Sequence, residues 1–237
     1  MKSIILIDAD SLCYIGNKCE EVEQAYDKVD EALSNIISTS EASHYKVFIE
    51  AFGNQTFRRV AFNSYKSGRR NKELPKYYKE IKQYIIETYN PFISCGVESD
   101  DSIISTYKHL KEEYPFTEII IAAMDKDYLT HEISMFDTYY SRFGEIKTVS
   151  KKEAEFNFYK QMIEGDSSDS VSGVKGSGKV MAEKVLKNSS NYFISTCRHY
   201  KLKYKNKWRD IFKKNHFLLR IRDDVRFCKE LDLVEFE

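Results

Sequence analysis

No run of apolar residues in this sequence of 237 approaches the roughly 20 positions that a membrane-spanning helix needs. The opening stretch, Met1 to Asp8, is too short in its apolar part for a signal peptide and ends on an acid. It reads instead as a buried first strand. Prolines number three, and neither internal repeats nor low-complexity tracts are present, so no obvious linker divides the chain. The five cysteines (Cys13, Cys19, Cys95, Cys197 and Cys228) form an odd set without a Cys-x-x-Cys pair. That excludes a disulfide scaffold and a structural zinc site, and the expected compartment is the reducing cytoplasm. Net charge is lacking as well, with 37 basic side chains against 37 acidic ones.

What is present is a core and a segregated charge pattern. With 42% hydrophobic and 14% aromatic residues the chain can bury a substantial interior, enough for one compact domain with a small appendage. From Arg58 to Lys82 nine Lys/Arg face only Glu73 and Glu80, and from Thr196 to Lys229 twelve face only Asp210, Asp223 and Asp224. A protein that holds phosphates on one surface and metal ions on another needs this separation, although either basic segment alone also suits an ordinary solvated helix.

Periodicity places the elements. Ser3–Asp8 has the continuous apolar character of a strand covered on both faces, and Tyr45–Ala51, Phe92–Cys95, Glu118–Ala123, Ile133–Thr138 and Glu145–Val149 supply further strands. Val22, Ala25, Val29, Leu33 and Ile36 recur at helical spacing, as do Tyr77, Ile81, Tyr84 and Ile85 before Pro91. A third helix spans Asp100–Lys111, and Ser150 with Glu153 forms a capping box for a fourth that runs to about Glu164. Beyond Gly165 the pattern is all-helical. Strand–helix alternation implies an α/β fold with a mostly parallel sheet flanked by helices, over residues 1–164, followed by a helical module over 165–237.

The acids fall at strand ends. Asp8 and Asp10 close the first strand, Glu50 lies near the end of the second, and Glu98, Asp100 and Asp101 follow the third. Asp125 and Asp127 come just after Glu118–Ala123, and Asp166 and Asp169 open the helical module. In open α/β sheets ligands bind beyond the carboxyl ends of the strands, so these groups are expected to converge. Packed like charges raise one another's pKa unless cations neutralise them, and all-oxygen ligation favours Mg²⁺ or Mn²⁺. The bland reading of any single acid is a helix start, where the dipole favours it. The ordered series of acids speaks against that reading.

These residues resemble the motifs of the 5′ nuclease family, the flap endonucleases and 5′→3′ exonucleases. Leu6-Ile7-Asp8-Ala9-Asp10 is similar to its first strand, and Gly96-Val97-Glu98-Ser99-Asp100-Asp101 to its Gly-x-Glu-Ala-Asp-Asp signature. Asp125-Lys126-Asp127-Tyr128-Leu129 resembles Asp-Lys-Asp-Leu with an inserted tyrosine. The stretch from Gly165 to Gly178 resembles Gly-Asp-x-x-Asp-Asn-Val-Pro-Gly-x-x-Gly-x-Gly, with Ser170 and Ser172 in place of Asn and Pro, which should loosen the turn. Tyr65-Lys66-Ser67-Gly68-Arg69 matches the Tyr-Lys-x-x-Arg segment at the base of the family's helical arch, and the short spacing to Gly96 implies a small arch or clamp near 64–80. The second-strand acid, usually Asp, has only Glu50 as a candidate.

The resemblance implies a Rossmann-like, PIN-like sheet with a helix–turn–helix DNA-binding module, and a structure-dependent nuclease that cuts near 5′ ends, with RNA primers among the candidate substrates. Its substrate would be DNA or RNA–DNA with a 5′ end, flap or nick, bound by a monomer. Asp8, Glu98, Asp100 and Asp101 would hold one Mg²⁺, with Asp125, Asp127, Asp166 and Asp169 at a second and Glu50 as a further candidate; Mn²⁺ could substitute. Two such ions about 4 Å apart stabilise the attacking and leaving oxygens of a phosphodiester displacement. Lys66 and Arg69 would neutralise developing charge, Tyr65 would stack on a terminal base, and Arg58 and Arg59 would contact backbone. Gly176, Gly178 and Lys179 would approach a DNA phosphate, and the turn could hold K⁺ as in the family. The basic segments with Lys213-Lys214 and Arg220-Ile221-Arg222 would track the duplex.

Other readings fit less well. Gly173 to Lys179 fits a P-loop, but Val180 stands where a Mg²⁺-binding Ser/Thr belongs and a polar turn precedes it. A PIN-type ribonuclease would lack the glycine turn. Asp8-Ala9-Asp10 is similar to the nucleophile motif of haloacid-dehalogenase phosphatases, but Leu12 stands where Thr or Val is wanted. A non-catalytic protein that binds 5′ junctions is the remaining alternative.

Overall fold

A computed structural model describes residues 3–69 and 73–234. β1 (Ser3–Asp8) leads through a 3₁₀ turn over Asp10–Lys18 into α1 (Val22–Ser40), β2 (His44–Glu50) and the short α2 (Phe57–Ala61). Then come α3 (Tyr78–Tyr89), β3 (Phe92–Ser94), α4 (Ser99–Glu113), β4 (Glu118–Ala123), β5 (Ser134–Asp137), β6 (Ile146–Thr148) and α5 (Lys151–Glu164). The strands form one sheet in the order β3-β2-β1-β4-β5-β6. All neighbours are parallel up to β5, and β6 returns antiparallel.

Side-chain alternation divides the apolar strands between two layers. Ile5, Ile7, Val47, Ile49, Ile120 and Ala122 face α1 and α3 through Ala25, Val29, Leu33, Ile81 and Ile85. Ile4, Leu6, Phe48, Ile119 and Ile121 face α4 through Ile103, Ile104 and Leu110. Each such burial is worth about 1.5–3 kcal/mol before chain entropy is counted, which is why β1 tolerates no polar residue between Ile4 and Ile7.

A second cluster lies beyond α5. β7 (Gly165–Asp166) and β8 (Val171–Ser172) form a two-stranded hairpin, and α6 (Lys179–Leu186), α7 (Tyr192–Tyr204) and α8 (Trp208–Leu219) pack with α5 around Phe158, Met162, Leu186, Tyr200 and Phe212. The Tyr200 hydroxyl donates to the Met162 carbonyl and accepts from Asn215 Nδ2 at 2.9 Å, so its burial leaves no polar atom unmatched.

Two expectations need correction. The chain is not all-helical after Gly165: the β7–β8 hairpin interrupts it, and Arg220-Ile221-Arg222 lie past the end of α8 in a tail that returns to the sheet. Ile221 and Cys228 bury beside α4, and β9 (Asp232–Leu233) pairs antiparallel with the start of β2. Lys46, 3% exposed, ties this tail down through Asp232 at 3.2 Å and the Asn90 carbonyl at 2.9 Å. In the segment near 64–80 where a small arch or clamp is expected, the described residues form a 3₁₀ turn at Ser67–Arg69, a non-helical stretch from Glu73 to Tyr77 and the start of α3; residues 70–72 lie outside the described residues.

Close backbone packing fixes the β7–β8 hairpin. A Cβ on Gly173 would stand 2.2 Å from the Ile163 carbonyl oxygen and 2.3 Å from the Gly165 nitrogen. We expect Gly173→Ala to lower the unfolding free energy by about 2–4 kcal/mol, whereas Gly68→Ala should stay within about 0.5 kcal/mol of the parent. At Gly68 the nearest atom to an added Cβ is Ser170 Oγ at 3.8 Å. Urea unfolding of both variants checks the contrast.

Candidate active site at the carboxyl ends of the strands

Strand order reverses between β1 and β4, and there the carboxyl ends of the two strands flank a crevice. A cavity of about 770 Å³ opens at this point, lined by Asp8, Asp10, Glu50, Glu98, Asp100 and Asp125 among others. The acids come from β1, the end of β2, the start of α4 and the turn after β4, so the topology alone brings them together.

Each is held by specific donors. Asp8 accepts from the Asp10 amide at 3.2 Å and from the Tyr128 hydroxyl at 2.8 Å. Asp10 accepts from Ser99 Oγ at 2.6 Å, and both its oxygens take the Glu50 amide at 3.2 and 3.3 Å. Asp125 caps the 3₁₀ turn after β4 by accepting from the Asp127 amide at 2.9 Å. Asp166 accepts from the amide and hydroxyl of Ser168 and from the Asp169 amide.

Burial and neighbouring charge raise several of the carboxyls at this end of the sheet. Burial, then the neighbouring Asp10, pushes Asp8 up to about 7. Burial with Asp10 and Glu98 does the same to Glu50, also to about 7. Asp127 reaches about 7 through burial and the charges of Asp125, Asp166 and Asp169. Asp100 is held well above the usual range by burial and by Asp101 and Glu98. Asp166 moves the other way, because hydrogen bonds from Ser168 and Asp169 outweigh its burial. Glu98 is also lowered: burial opposes its charge, but Lys66 and Arg58 outweigh that cost.

Buried carboxylates without protein cations are what a divalent-ion site requires, and the donors are all oxygen. Around the cavity Asp8, Glu50 and Asp100 fit that description; Asp10, with Lys82 Nζ 3.8 Å away, and the exposed Asp125 complete its acidic lining, while Asp127, Asp166 and Asp169 form an adjoining group. Oxygens of Glu98, Asp100 and Asp101 come within 4.8 Å of one another. Asp101, however, is fully occupied. Its two oxygens accept from Arg58 Nη1 and Nη2 at 2.6 and 2.7 Å, from the Glu98 amide and from the Arg222 amide. No lone pair is left for a metal, so Asp101 serves as the far half of the α4 capping box and as a buried anchor.

Two further expectations change. Arg58, expected on the surface against a nucleic-acid backbone, is 1% exposed. Its guanidinium spans Glu98 at 2.9 Å, Asp101 and the Arg220 carbonyl at 2.6 Å, which takes it away from phosphates. Tyr65, expected to stack on a base, is buried, and its hydroxyl bridges Glu98 at 2.8 Å and Asp169 at 2.9 Å. Lys66 and Arg69 do lie at the site: Lys66 Nζ donates to Glu98, and Arg69 reaches Asp169 Oδ1 at 3.0 Å. The glycine turn presents Lys175, Gly176, Gly178 and Lys179 to solvent at the start of α6, while Ser177 is buried against His199.

Asp10, Ser99, Tyr128 and Lys82 belong to the cavity without having been singled out for a role. Tyr128 carried a signal, since it is the inserted residue of the Asp-Lys-Asp-Tyr-Leu stretch. Lys82 carried one too: it falls on the apolar stripe of α3 between Ile81 and Ile85.

A parallel sheet with acids at its switch point and a helical body behind them defines a PIN-like nuclease fold. Residues 3–159 match the family described as "5'-3' exonuclease, N-terminal resolvase-like domain"; the chain belongs to this family and is a nuclease. A 5'-3' exonuclease of Mycoplasma genitalium is 27% identical over a 265-position alignment covering 98% of this chain and 90% of the relative. Among solved structures, the bacteriophage T5 flap endonuclease in a pseudo-enzyme–product complex with DNA and metal ions superposes with a TM-score of 0.67 at 17% identity, covering 92% of this chain and 86% of that one. The catalytic core of Rad2 in complex with DNA substrate gives 0.54 at 13% identity, covering 94% and 75%. At these identities the superpositions speak for the fold.

Two measurements probe the site itself. Arg58→Met would leave Glu98 and Asp101 buried without their cation, and we expect it to cost about 3–5 kcal/mol of stability in chemical denaturation. A surface phosphate contact would leave stability unchanged. Because the folded carboxyls at Asp8, Glu50 and Asp127 hold protons more tightly than unfolded ones, stability without divalent ions should fall as pH rises from about 4 to about 7. Added Mg²⁺ should therefore raise the melting temperature more at pH 8 than at pH 5.5, and an equal rise at both would contradict the assignment.

Proposed function

We propose that this protein is a structure-dependent 5′ nuclease that hydrolyses phosphodiesters of DNA or RNA–DNA near 5′ ends, with two Mg²⁺ ions. The observation that carries the reading is the set of mostly half-buried, under-neutralised carboxylates drawn from separate elements to one switch point. Asp8, Asp10, Glu50, Asp100 and Asp125 would hold one ion and Asp127, Asp166 and Asp169 would hold or position the second. Such ions supply charge neutralisation at the phosphoryl group and a nucleophile available at neutral pH.

The chain's own groups do the positioning. Tyr128 fixes the carboxylate plane of Asp8, and Ser99 and the Glu50 amide fix that of Asp10. Lys66 and Arg69, which line the cavity and are held there by Glu98 and Asp169, are placed to meet phosphoryl oxygens. Behind them the exposed glycine turn and the N-terminus of α6 offer backbone N–H groups and Lys179 to a duplex phosphate, and the turn is suited to K⁺. That proteins of the same fold are known in complex with DNA supports DNA as the class of partner. The protein would act as a monomer.

The test uses a 5′-labelled flap duplex and a nicked duplex with Mg²⁺, with EDTA and with Asp125→Asn. We expect metal-dependent release of 5′ fragments, reduced at least about a hundredfold in the variant while duplex binding persists. Tight binding without cleavage in Mg²⁺ or Mn²⁺ would replace this reading with that of a junction-binding protein.

A further inference from the structure

The tail that follows α8 lies along α4, and polar groups make much of the contact. At the first turn of the helix the Arg222 amide donates to Asp101 Oδ1 at 2.7 Å. Further along, the Val225 amide donates to Ser105 Oγ at 3.2 Å and the Cys228 amide to Thr106 Oγ1 at 3.0 Å. His109 stacks on Phe227 with ring centroids 4.1 Å apart. The far end of the tail is tied to the sheet by the Lys46–Asp232 pair and by β9.

The helix is built to receive it. Ser105 and Thr106 are 3% and 0% exposed in the middle of α4. Hydroxyl residues suit a helix interior poorly, because they compete with its backbone for hydrogen bonds. Thr106 shows this, since its own hydroxyl donates to the Ser102 carbonyl at 2.8 Å. If this face of α4 served only to fill a core, aliphatic side chains would stabilise it more. With Ser and Thr there, it satisfies the amides of Val225 and Cys228, which lie in no strand.

The difference matters for position. Apolar packing is non-directional and lets a helix slide slightly along its axis, whereas hydrogen bonds fix where each turn stands. α4 opens with Glu98, Asp100 and Asp101, so its axial position is also that of these acids. Arg58 closes the same circuit, holding Glu98 and Asp101 on one side and the Arg220 carbonyl on the other. A metal-dependent centre needs its carboxylates held to within about 0.5 Å.

We propose that segment 220–228 is a positioning strap for the nuclease centre, in which Ser105 and Thr106 set how α4 presents Glu98 and Asp100 to divalent ions. This rests on the reading of the α4 acids as part of a metal centre. Neither Ser105 nor Thr106 lines the cavity, so both act through the helix.

The test compares the wild type, the double variant Ser105→Ala/Thr106→Val, and Thr106→Ser, which keeps the hydroxyl. Calorimetric titration reads Mn²⁺ affinity, single-turnover cleavage of a 5′ flap duplex in Mg²⁺ reads the rate, and anisotropy in EDTA reads duplex binding. Two buried amides left unpaired should weaken Mn²⁺ binding and slow cleavage by at least about tenfold, with duplex affinity within about twofold of the wild type. Thr106→Ser should match the wild type. Unchanged Mn²⁺ affinity in a folded double variant, whatever its stability to urea, would reduce the strap to a structural clamp and overturn the proposal. Weakened Mn²⁺ binding by the variant, with no cleavage even by the wild type, would support the strap and sink the 5′ nuclease reading. A wild type that binds no Mn²⁺ would remove both. If the double variant fails to fold, amide exchange in the wild type decides, because coupling is reciprocal: Mg²⁺ should slow exchange at Arg222, Val225 and Cys228 more than in α8. Equal slowing in both segments, or none, would overturn the strap.

Discussion

Repulsion among carboxylates that have been taken out of water governs this molecule. The sheet delivers Asp8, Glu50 and Asp100 to one crevice with too few protein cations to balance them, and burial together with mutual charge holds all three carboxyls above their usual range. Around that crevice every acid that is not left for metal has been neutralised by other means. Glu98 and Asp101 are bound to Arg58, and Glu98 also to Lys66. The chain thus separates acids with permanent protein partners from acids that wait for a mobile one.

The division explains which parts of the site could be read from the sequence. Which residue types converge was legible, because strand ends are marked by apolar runs and acids at strand ends stand out. Which of the acids would be free was not, because that depends on Arg58, whose neighbours in sequence give no hint of its burial. A basic pair, Arg58-Arg59, reads as surface; the structure turns one member inward beneath α4 and leaves the other at the cavity wall. Tyr65 is a similar case: only the fold shows that its hydroxyl lies between Glu98 and Asp169.

For the fold, long periodic segments were read with the right type and nearly the right bounds, β1 and β4 above all, since continuous aliphatic runs flanked by acids have few other solutions. Short elements escaped. The turn over Asp10–Lys18 and the five-residue α2 are below the length at which helical periodicity can register. The tail after Leu219 escaped for another reason. It is rich in Arg, Asp and Lys, as a solvated helix would be, yet its Ile221, Cys228 and Asp232 satisfy a helix face and a sheet edge far away in sequence.

That tail has a bearing on the order in which the protein folds. Arg58 donates to a carbonyl 162 positions downstream, and Asp101 accepts from an amide 121 positions downstream. Contacts of such separation form late, after the loop-closure entropy of everything between them has been met. Until residues 220–222 dock, the guanidinium beneath α4 and the carboxylate it clamps lack part of their hydrogen-bonding shell, and the N-terminus of that helix is incompletely anchored. The acids at the start of α4 are thus put in place among the last parts of the molecule, so a partly folded chain carries the sheet before it carries a complete nuclease centre.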